Sequence, residues 1–174
     1  MVRRVVSAPF KQAGEKGDVT ASLQRVMEVI GMAKVSGNAH EARKFGFLTT
    51  TDRIVMNRDF PIGAAKREIL EIAAAGYVAP LNSNNCYAAG GSALATLKAG
   101  LYIFEQAGYA SEYDRYIGNK LAYVLCGGDL SAGQWVTEQY FLDLEREAFV
   151  SLCGEPKTLE RIRNILTTGK PLRN

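Results

Sequence analysis

The sequence predicts an all-α fold of about seven helices with little or no strand. Three observations support this prediction. Apolar residues recur at intervals of three and four along most of the chain, which is the spacing of one helix face. In the second half, serines precede and glycines follow successive apolar segments, as they do at helix ends. A chain of 174 residues with 47% apolar residues is also long enough to bury one core.

The first two predicted helices have recognisable ends. Leu23, Val26 and Ile30 share one face of a helix predicted over residues 19–33, which Asp18 precedes as a capping residue. A short helix over residues 39–45 follows. Asn38 and Glu41 have the capping-box spacing at its start, and a glycine follows its end.

The middle of the chain contains a short extended segment, one helix and a segment rich in turn-forming residues. The run of residues 53–56 is short and contains β-branched residues, which favours an isolated extended segment. Pro61 suits the first turn of a helix that ends near Gly76. Residues 77–91 contain proline, several asparagines and two adjacent glycines, so we expect a surface linker there.

Four more helices are predicted over residues 92–107, 111–126, 131–153 and 156–167. Ser131 and Gln134 have the capping-box spacing at the start of the third of these. The predicted buried side of the last helix consists of Leu159, Ile162, Ile165 and Leu166.

Composition excludes several classes of protein. The net charge of +3 is spread along the chain, which argues against a nucleic-acid partner. No apolar stretch is long enough for a membrane span or a signal-peptide core. Three widely spaced cysteines form no disulfide framework, so we expect a reducing, cytoplasmic location.

Little in the sequence indicates catalysis, and we predict neither catalytic residues nor a metal site. His40 is the single histidine and lies in a polar helix turn, which favours a solvent-facing side chain. Asp143 and Glu147 have the spacing of a proton-sharing pair, but a solvated charged face is the better interpretation. Gly90 and its glycine neighbour lack the other residues of a phosphate-binding loop, which favours a linker.

The remaining candidates are thiols. Cys126 and Cys153 fall at predicted helix ends without an evident positive partner, so neither is expected to be a reactive thiolate. We interpret both as packing residues.

Several segments resemble a known family. They are residues 32–48 (MAKVSGNAHEARKFGFL), 51–59 (TDRIVMNRD), 120–129 (KLAYVLCGGD), 136–140 (VTEQY), 144–149 (LEREAF) and 169–174 (GKPLRN). Together they are similar to the C-terminal part of bacterial 3-hydroxyacyl-CoA dehydrogenases that carry a fused enoyl-CoA hydratase domain of the crotonase type. The resemblance covers nearly the whole chain.

The resemblance implies an organisation for the chain. Residues 1–76 would match the helices that end a crotonase-type core, residues 77–91 a linker, and residues 92–174 a C-terminal helical extension, all within one compact unit. The chain would begin just after the catalytic turn. The glycine fingerprint for NAD and the backbone amides that stabilise the enolate would lie outside it, so the chain would hold no cofactor.

The resemblance also implies a function. The parent enzyme would act in fatty-acid β-oxidation on an acyl-CoA thioester with NAD, and this segment would be inactive alone. It would contribute to assembly, as a homo-oligomer, and to the CoA-binding surface through Phe149, Lys170 and Arg173. The alternative is a free-standing helical module for oligomerisation or protein interaction.

Overall fold

The computed structural model describes residues 1–79, 81 and 83–174, and these form two compact units. One unit comprises residues 1–34 and 83–174, and the other residues 35–82. Pro80 and Asn82, within the predicted linker, lie outside the described residues.

The described residues are mostly helical, with eight α-helices and two short strands. A π-helical turn, Arg3–Ser7, leads into the first helix. The helices are α1 Ala8–Gln12, α2 Thr20–Gly31, α3 Ala39–Phe45, α4 Pro61–Ala74, α5 Gly91–Gln106, α6 Glu112–Cys126, α7 Glu138–Cys153 and α8 Pro156–Thr168, and the strands are β1 Cys86–Ala88 and β2 Gln134–Val136.

The smaller unit contains α3 and α4. The Asn38 side chain accepts a hydrogen bond from the Glu41 amide at 2.9 Å, which confirms the predicted start of α3. The Glu41 carboxylate accepts from the amide of Gly37, one residue before the amide that a capping box uses. Residues 53–56 form no strand, and Arg53 pairs with Glu68 of α4 at 2.8 Å.

The core of the larger unit lies among α2, α5, α6 and the N-terminal turn. Apolar side chains spaced three or four residues apart on each helix meet there, as the periodicity predicts. The buried set is Val6, Leu23, Val26, Ala93, Leu94, Leu97, Ala122, Leu125 and Cys126.

The two strands correct two sequence predictions. β1 pairs antiparallel with β2, and Cys86 lies opposite Val136. Thus the predicted linker contains a strand, and the helix predicted from Ser131 begins later. Thr137 caps α7, its hydroxyl accepting from the Tyr140 amide at 3.2 Å.

A close approach of two chain segments explains the glycine pair before α5. Gly90 is buried with a φ of 76°, and a Cβ there would lie 2.8 Å from the carbonyl carbon of Ala132. Its amide donates to the Cys126 carbonyl, and the Gly91 amide donates to the Leu130 carbonyl at 2.7 Å. These glycines, between β1 and α5, are therefore packed against the loop before β2.

The remaining differences concern the two ends of the chain. Helix α1 was not predicted, because five residues are too few to show periodicity. Helix α8 forms as predicted, but its expected buried side is exposed, and none of its residues is buried. The exposed side chains are Leu159, Ile162, Ile165 and Leu166. No helix in the described part of the chain has the length and apolar character needed to cross a bilayer.

Candidate functional site

An apolar groove of about 590 Å³ lies between α6 and α7 in the larger unit. The end of α2, the N-terminal turn and Cys86 of β1 complete its walls. Its lining consists of Met1, Val2, Arg3, Ile30, Gly31, Cys86, Ile117, Lys120, Leu121, Val124, Leu125, Glu138, Phe141, Leu142, Glu145, Ala148, Phe149 and Leu152. The volume is within the range of small-molecule sites.

The lining residues of α6 share one face of that helix, and those of α7 share one face of theirs, so each helix forms one wall of the groove. On α6 the lining residues recur from Ile117 through Leu121 to Val124, and on α7 from Phe141 through Ala148 to Leu152. Such spacing of three and four residues puts side chains on a common face. The sequence predicted both helices, but it did not show that they leave a gap between them.

Four charged residues line the groove, two of each sign. Arg3 forms an ion pair with Glu138 at 3.0 Å. Lys120 lies with its Nζ 5.9 Å from the centre of the Tyr116 ring, and Glu145 contributes a carboxylate. The lining is therefore apolar, with little net charge at its edges.

A second cavity, of about 430 Å³, adjoins the groove and shares Lys120 and Ala148 with it. We call it the polar cavity because every lining residue except Ala148 carries a polar or charged group; the residues are Lys98, Tyr116, Asn119, Lys120, Tyr123, Asp129, Glu147, Ala148 and Ser151. Two lysines face two carboxylates in this set, so its formal charge is zero.

Two uncharged polar groups of the polar cavity are the phenol of Tyr123 and the side-chain amide of Asn119. Burial raises the pKa of Tyr123, and the carboxylates of Asp129 and Glu147 raise it further, so the phenol keeps its proton. The Oδ1 atom of Asn119 is buried without a hydrogen-bond partner. A buried acceptor without a donor is unfavourable, and a suitable N–H or O–H group would satisfy it.

The structure separates the three residues predicted to bind CoA. Phe149 lies on α7 and lines the apolar groove, with 64% of its surface exposed. Lys170 and Arg173 lie in the exposed tail after α8 and line neither cavity. Their contact with CoA remains a prediction.

Cys86 and Cys126 lack the environment of a nucleophile. Burial, reinforced by the charge of Glu138, raises the pKa of the Cys86 thiol. Burial also raises the pKa of Cys126 to about 11. Both are therefore thiols at neutral pH, as expected of packing residues.

The other sequence candidates are solvated. His40 is exposed in the first turn of α3. Asp143 accepts hydrogen bonds from Gln139 and Arg146, so it belongs to a surface ion pair and not to a proton-sharing dyad. Among the described residues, no cluster of three or more histidine, cysteine or acidic side chains is placed to hold a metal ion.

The last residue of the sequence is fixed to α6 and α8. Arg161 donates to the side chain of Asn174 at 2.8 Å and to Asp114 at 2.7 Å. Its guanidinium also lies 5.0 Å from the centre of the Tyr113 ring. Asp114 completes the capping box of α6 with Ser111, so one ion pair links the tail, α8 and the start of α6.

Comparison with known proteins gives one informative similarity. The chain is 40% identical over 157 residues to a "Probable 3-hydroxyacyl-CoA dehydrogenase" of Bacillus subtilis (strain 168). The matched region is 90% of this chain and 20% of that protein, so the chain spans about one fifth of the curated relative that it matches. No protein-family model matches the chain, and no solved structure matches it significantly.

Proposed function

We propose that this chain is a helical segment of a larger enzyme that hydrates enoyl-CoA and oxidises 3-hydroxyacyl-CoA with NAD. The segment contributes to assembly and to part of the CoA-binding surface, and it is inactive alone. The observation that carries this proposal is the 40% identity to one fifth of a 3-hydroxyacyl-CoA dehydrogenase. The enoyl-CoA hydratase activity and the C-terminal position rest on the resemblance of the sequence segments.

Uncovered apolar faces support a role in assembly. Helix α8 exposes four aliphatic side chains, and so does α4 in the smaller unit. Those of α4 are Ile62, Ile69, Leu70 and Ile72. The four side chains of α8 recur at intervals of three and four residues and so share one face, and an exposed apolar face is typical of contact regions.

We propose a passive role in the reaction for this segment. Crotonase-type chemistry uses two backbone amides to stabilise the enolate while one or two glutamates move protons. The glycine pair before α5 directs both amides to carbonyls of this chain, so it does not fit the phosphates of a dinucleotide. NAD would bind elsewhere in the parent enzyme, where it would accept a hydride from the 3-hydroxyacyl-CoA.

A chimera tests this proposal. The 157 matched residues of the Bacillus subtilis protein are replaced by those of this chain, and formation of NADH from 3-hydroxybutyryl-CoA is measured. We expect the chimera to keep activity and to be intact, whereas a version lacking the segment should lose activity or assembly. An inactive but folded chimera would contradict the proposal, and so would hydration of crotonyl-CoA by this chain alone.

The exposed faces of α4 and α8 also favour a second function, a free-standing module that associates with itself. Burial of these aliphatic groups between copies would remove apolar surface from water. Light scattering of the isolated chain should then give a mass above 19.0 kDa that returns to the monomer value when Leu166 is changed to Asp. A monomer at all concentrations would argue against this function.

A further inference from the structure

The polar cavity carries charges of both signs that are not paired with one another. Lys98 and Lys120 supply two ammonium groups, and Asp129 and Glu147 supply two carboxylates. Within the part of the chain that the structure describes, none of these four side chains takes part in an ion pair. We propose that the cavity binds a small zwitterion of the ω-amino acid class, with an ammonium group and a carboxylate at opposite ends of a short chain. This site is independent of the proposed function.

The cavity follows the seam between α6 and α7, which run antiparallel. At one end of the seam the Tyr140 hydroxyl donates to the Gly127 carbonyl at 2.8 Å. At the other end the Tyr116 hydroxyl donates to the Glu155 carboxylate at 3.2 Å. The lining residues of the cavity are therefore spread along the helix axes, and its two ends differ in charge.

The end near the C-terminus of α6 is acidic. Burial raises the pKa of Tyr123, and the charges of Asp129 and Glu147 raise it further, so both carboxylates lie near this phenol. The charge of Lys98 partly offsets the effect of burial on the pKa of the Cys126 thiol, which places this lysine near the same end. Two carboxylates and one ammonium group leave a net negative charge there, which attracts the ammonium group of a ligand.

The other end of the cavity presents a positive charge. Lys120 precedes Tyr123 by three residues, which is about 4.5 Å along the helix axis. Its Nζ lies 5.9 Å from the centre of the Tyr116 ring, and Tyr116 lines the polar cavity but not the groove. The ammonium group of Lys120 therefore faces the polar cavity. Glu155 lines neither cavity, so a ligand carboxylate meets a positive charge at this end.

The distance between the two ends selects a ligand whose own charges are separated. Neither lysine is in ion-pair contact with either carboxylate, so a ligand with adjacent charges, such as glycine, contacts one end only. A chain of several methylene groups reaches both ends. The buried Ala148 offers these methylene groups an apolar contact, and the volume of about 430 Å³ is ample for a ligand of this size.

The chain offers a matched control for each charged end. Glu145 and Glu147 are both exposed carboxylates on α7, but Glu145 lines the groove and not the polar cavity. Lys157, like Lys120, lies over a tyrosine ring, at 5.4 Å from the centre of Tyr113, but it lines neither cavity. A loss of affinity confined to the Glu147 and Lys120 variants therefore reports on the polar cavity.

NMR titration of the 174-residue chain with 6-aminohexanoate, hexanoate, hexylamine and glycine tests the proposal. We expect 6-aminohexanoate to bind with a Kd on the order of 1 mM, since exposed ion pairs contribute little, and at least about fivefold more tightly than the other three. Glu147→Gln and Lys120→Met should each weaken its binding by about fivefold. Glu145→Gln and Lys157→Met should leave it unchanged. Circular dichroism checks the folding of each variant, and Lys120→Gln replaces Lys120→Met should the latter unfold.

Three results would overturn the proposal. They are no saturable binding of 6-aminohexanoate at millimolar concentration, equal affinity for 6-aminohexanoate and either of its monofunctional halves, and equal losses in the Glu147 and Glu145 variants. The two ends are also tested separately. Glu147→Gln should weaken hexylamine but not hexanoate, Lys120→Met should do the reverse, and the opposite pattern would reject the assignment of the acidic and the positive end.

Discussion

The three cysteines differ in exposure, and this sets their reactivity. Cys126 is 0% exposed and Cys86 is 2% exposed, whereas Cys153 is partly accessible at the end of α7. A pKa of about 11 leaves on the order of a thousandth of Cys126 as thiolate at pH 8. The sequence predicted packing roles for Cys126 and Cys153; burial explains this for Cys126, whereas Cys153 remains partly accessible.

We expect a thiol reagent such as DTNB to modify Cys153 alone in the native chain. Cys86 and Cys126 should react only as the protein unfolds, because their sulfur atoms are shielded and protonated. The measurement is the number of thiols modified with and without denaturant. A Cys153→Ser variant is the control and should show almost no native reaction, whereas rapid native modification of that variant would contradict the structure.

Asp114 should make stability depend on pH in the acid range. Burial alone would raise the pKa of Asp114, but hydrogen bonds from Ser111 and Arg161 outweigh it and hold the pKa below the ordinary value of 3.8. The carboxylate therefore stabilises the folded chain above pH 3.8, and this contribution is lost as the pH falls through the lower folded pKa.

Asp114→Asn should lower the free energy of unfolding by about 1–3 kcal/mol at pH 7, and the difference should vanish in acid. Urea unfolding at several pH values measures it. Asp143→Asn is the matched control, because its ion pair with Arg146 is exposed and should contribute less than about 0.5 kcal/mol. Equal effects of the two substitutions would show that the Asp114 ion pair contributes no more stability than an exposed ion pair.

At the scale of elements, the sequence predicted those helix starts that depend on contacts between residues close together in the chain. The start of α3 was predicted from the capping spacing of Asn38 and Glu41, and the start of α6 from the serine at 111, because caps are local features. The capping box that Ser111 forms with Asp114 was not predicted. Ser131 has the same spacing but does not start a helix. A Cβ at Gly133 would lie 2.1 Å from the Tyr87 hydroxyl, and Trp135 pairs with Tyr87 across the strands. This contact joins residues far apart in sequence, so no local pattern could reveal it.

The true start of α7 leads to a paired prediction. Thr137→Ala should destabilise the chain by about 1 kcal/mol, because the Tyr140 amide loses its hydrogen-bond acceptor. Ser131→Ala should cost less than about 0.5 kcal/mol, as for a surface position without such a bond. Thermal unfolding of the two variants compares them, and a larger loss at Ser131 would restore the helix start predicted from the sequence.

At the scale of the whole molecule, the candidate site could be predicted only in part. Phe149 was predicted from the resemblance to bind CoA; it lines the groove, and its contact with CoA stays a prediction. The polar cavity was missed because its residues come from α5, α6, α7 and the loop after α6, and their meeting depends on how these helices pack. Helix periodicity shows which face is apolar, but not whether the opposite helix fills the space beside it.

The division into two units leads to a last prediction: the larger unit should fold without residues 35–82. The whole buried core around Leu23 and both cavities belong to residues 1–34 and 83–174. Replacing residues 35–82 by a flexible glycine-serine linker should therefore leave a chain that unfolds cooperatively, because loop closure costs little for linkers of moderate length. Leu23→Ala should destabilise the shortened and the full chain alike, by about 2–5 kcal/mol, since the side chain is 0% exposed in the same core. Urea unfolding followed by circular dichroism measures both effects. Loss of cooperative unfolding in the shortened chain would show that residues 35–82 complete the fold of the larger unit.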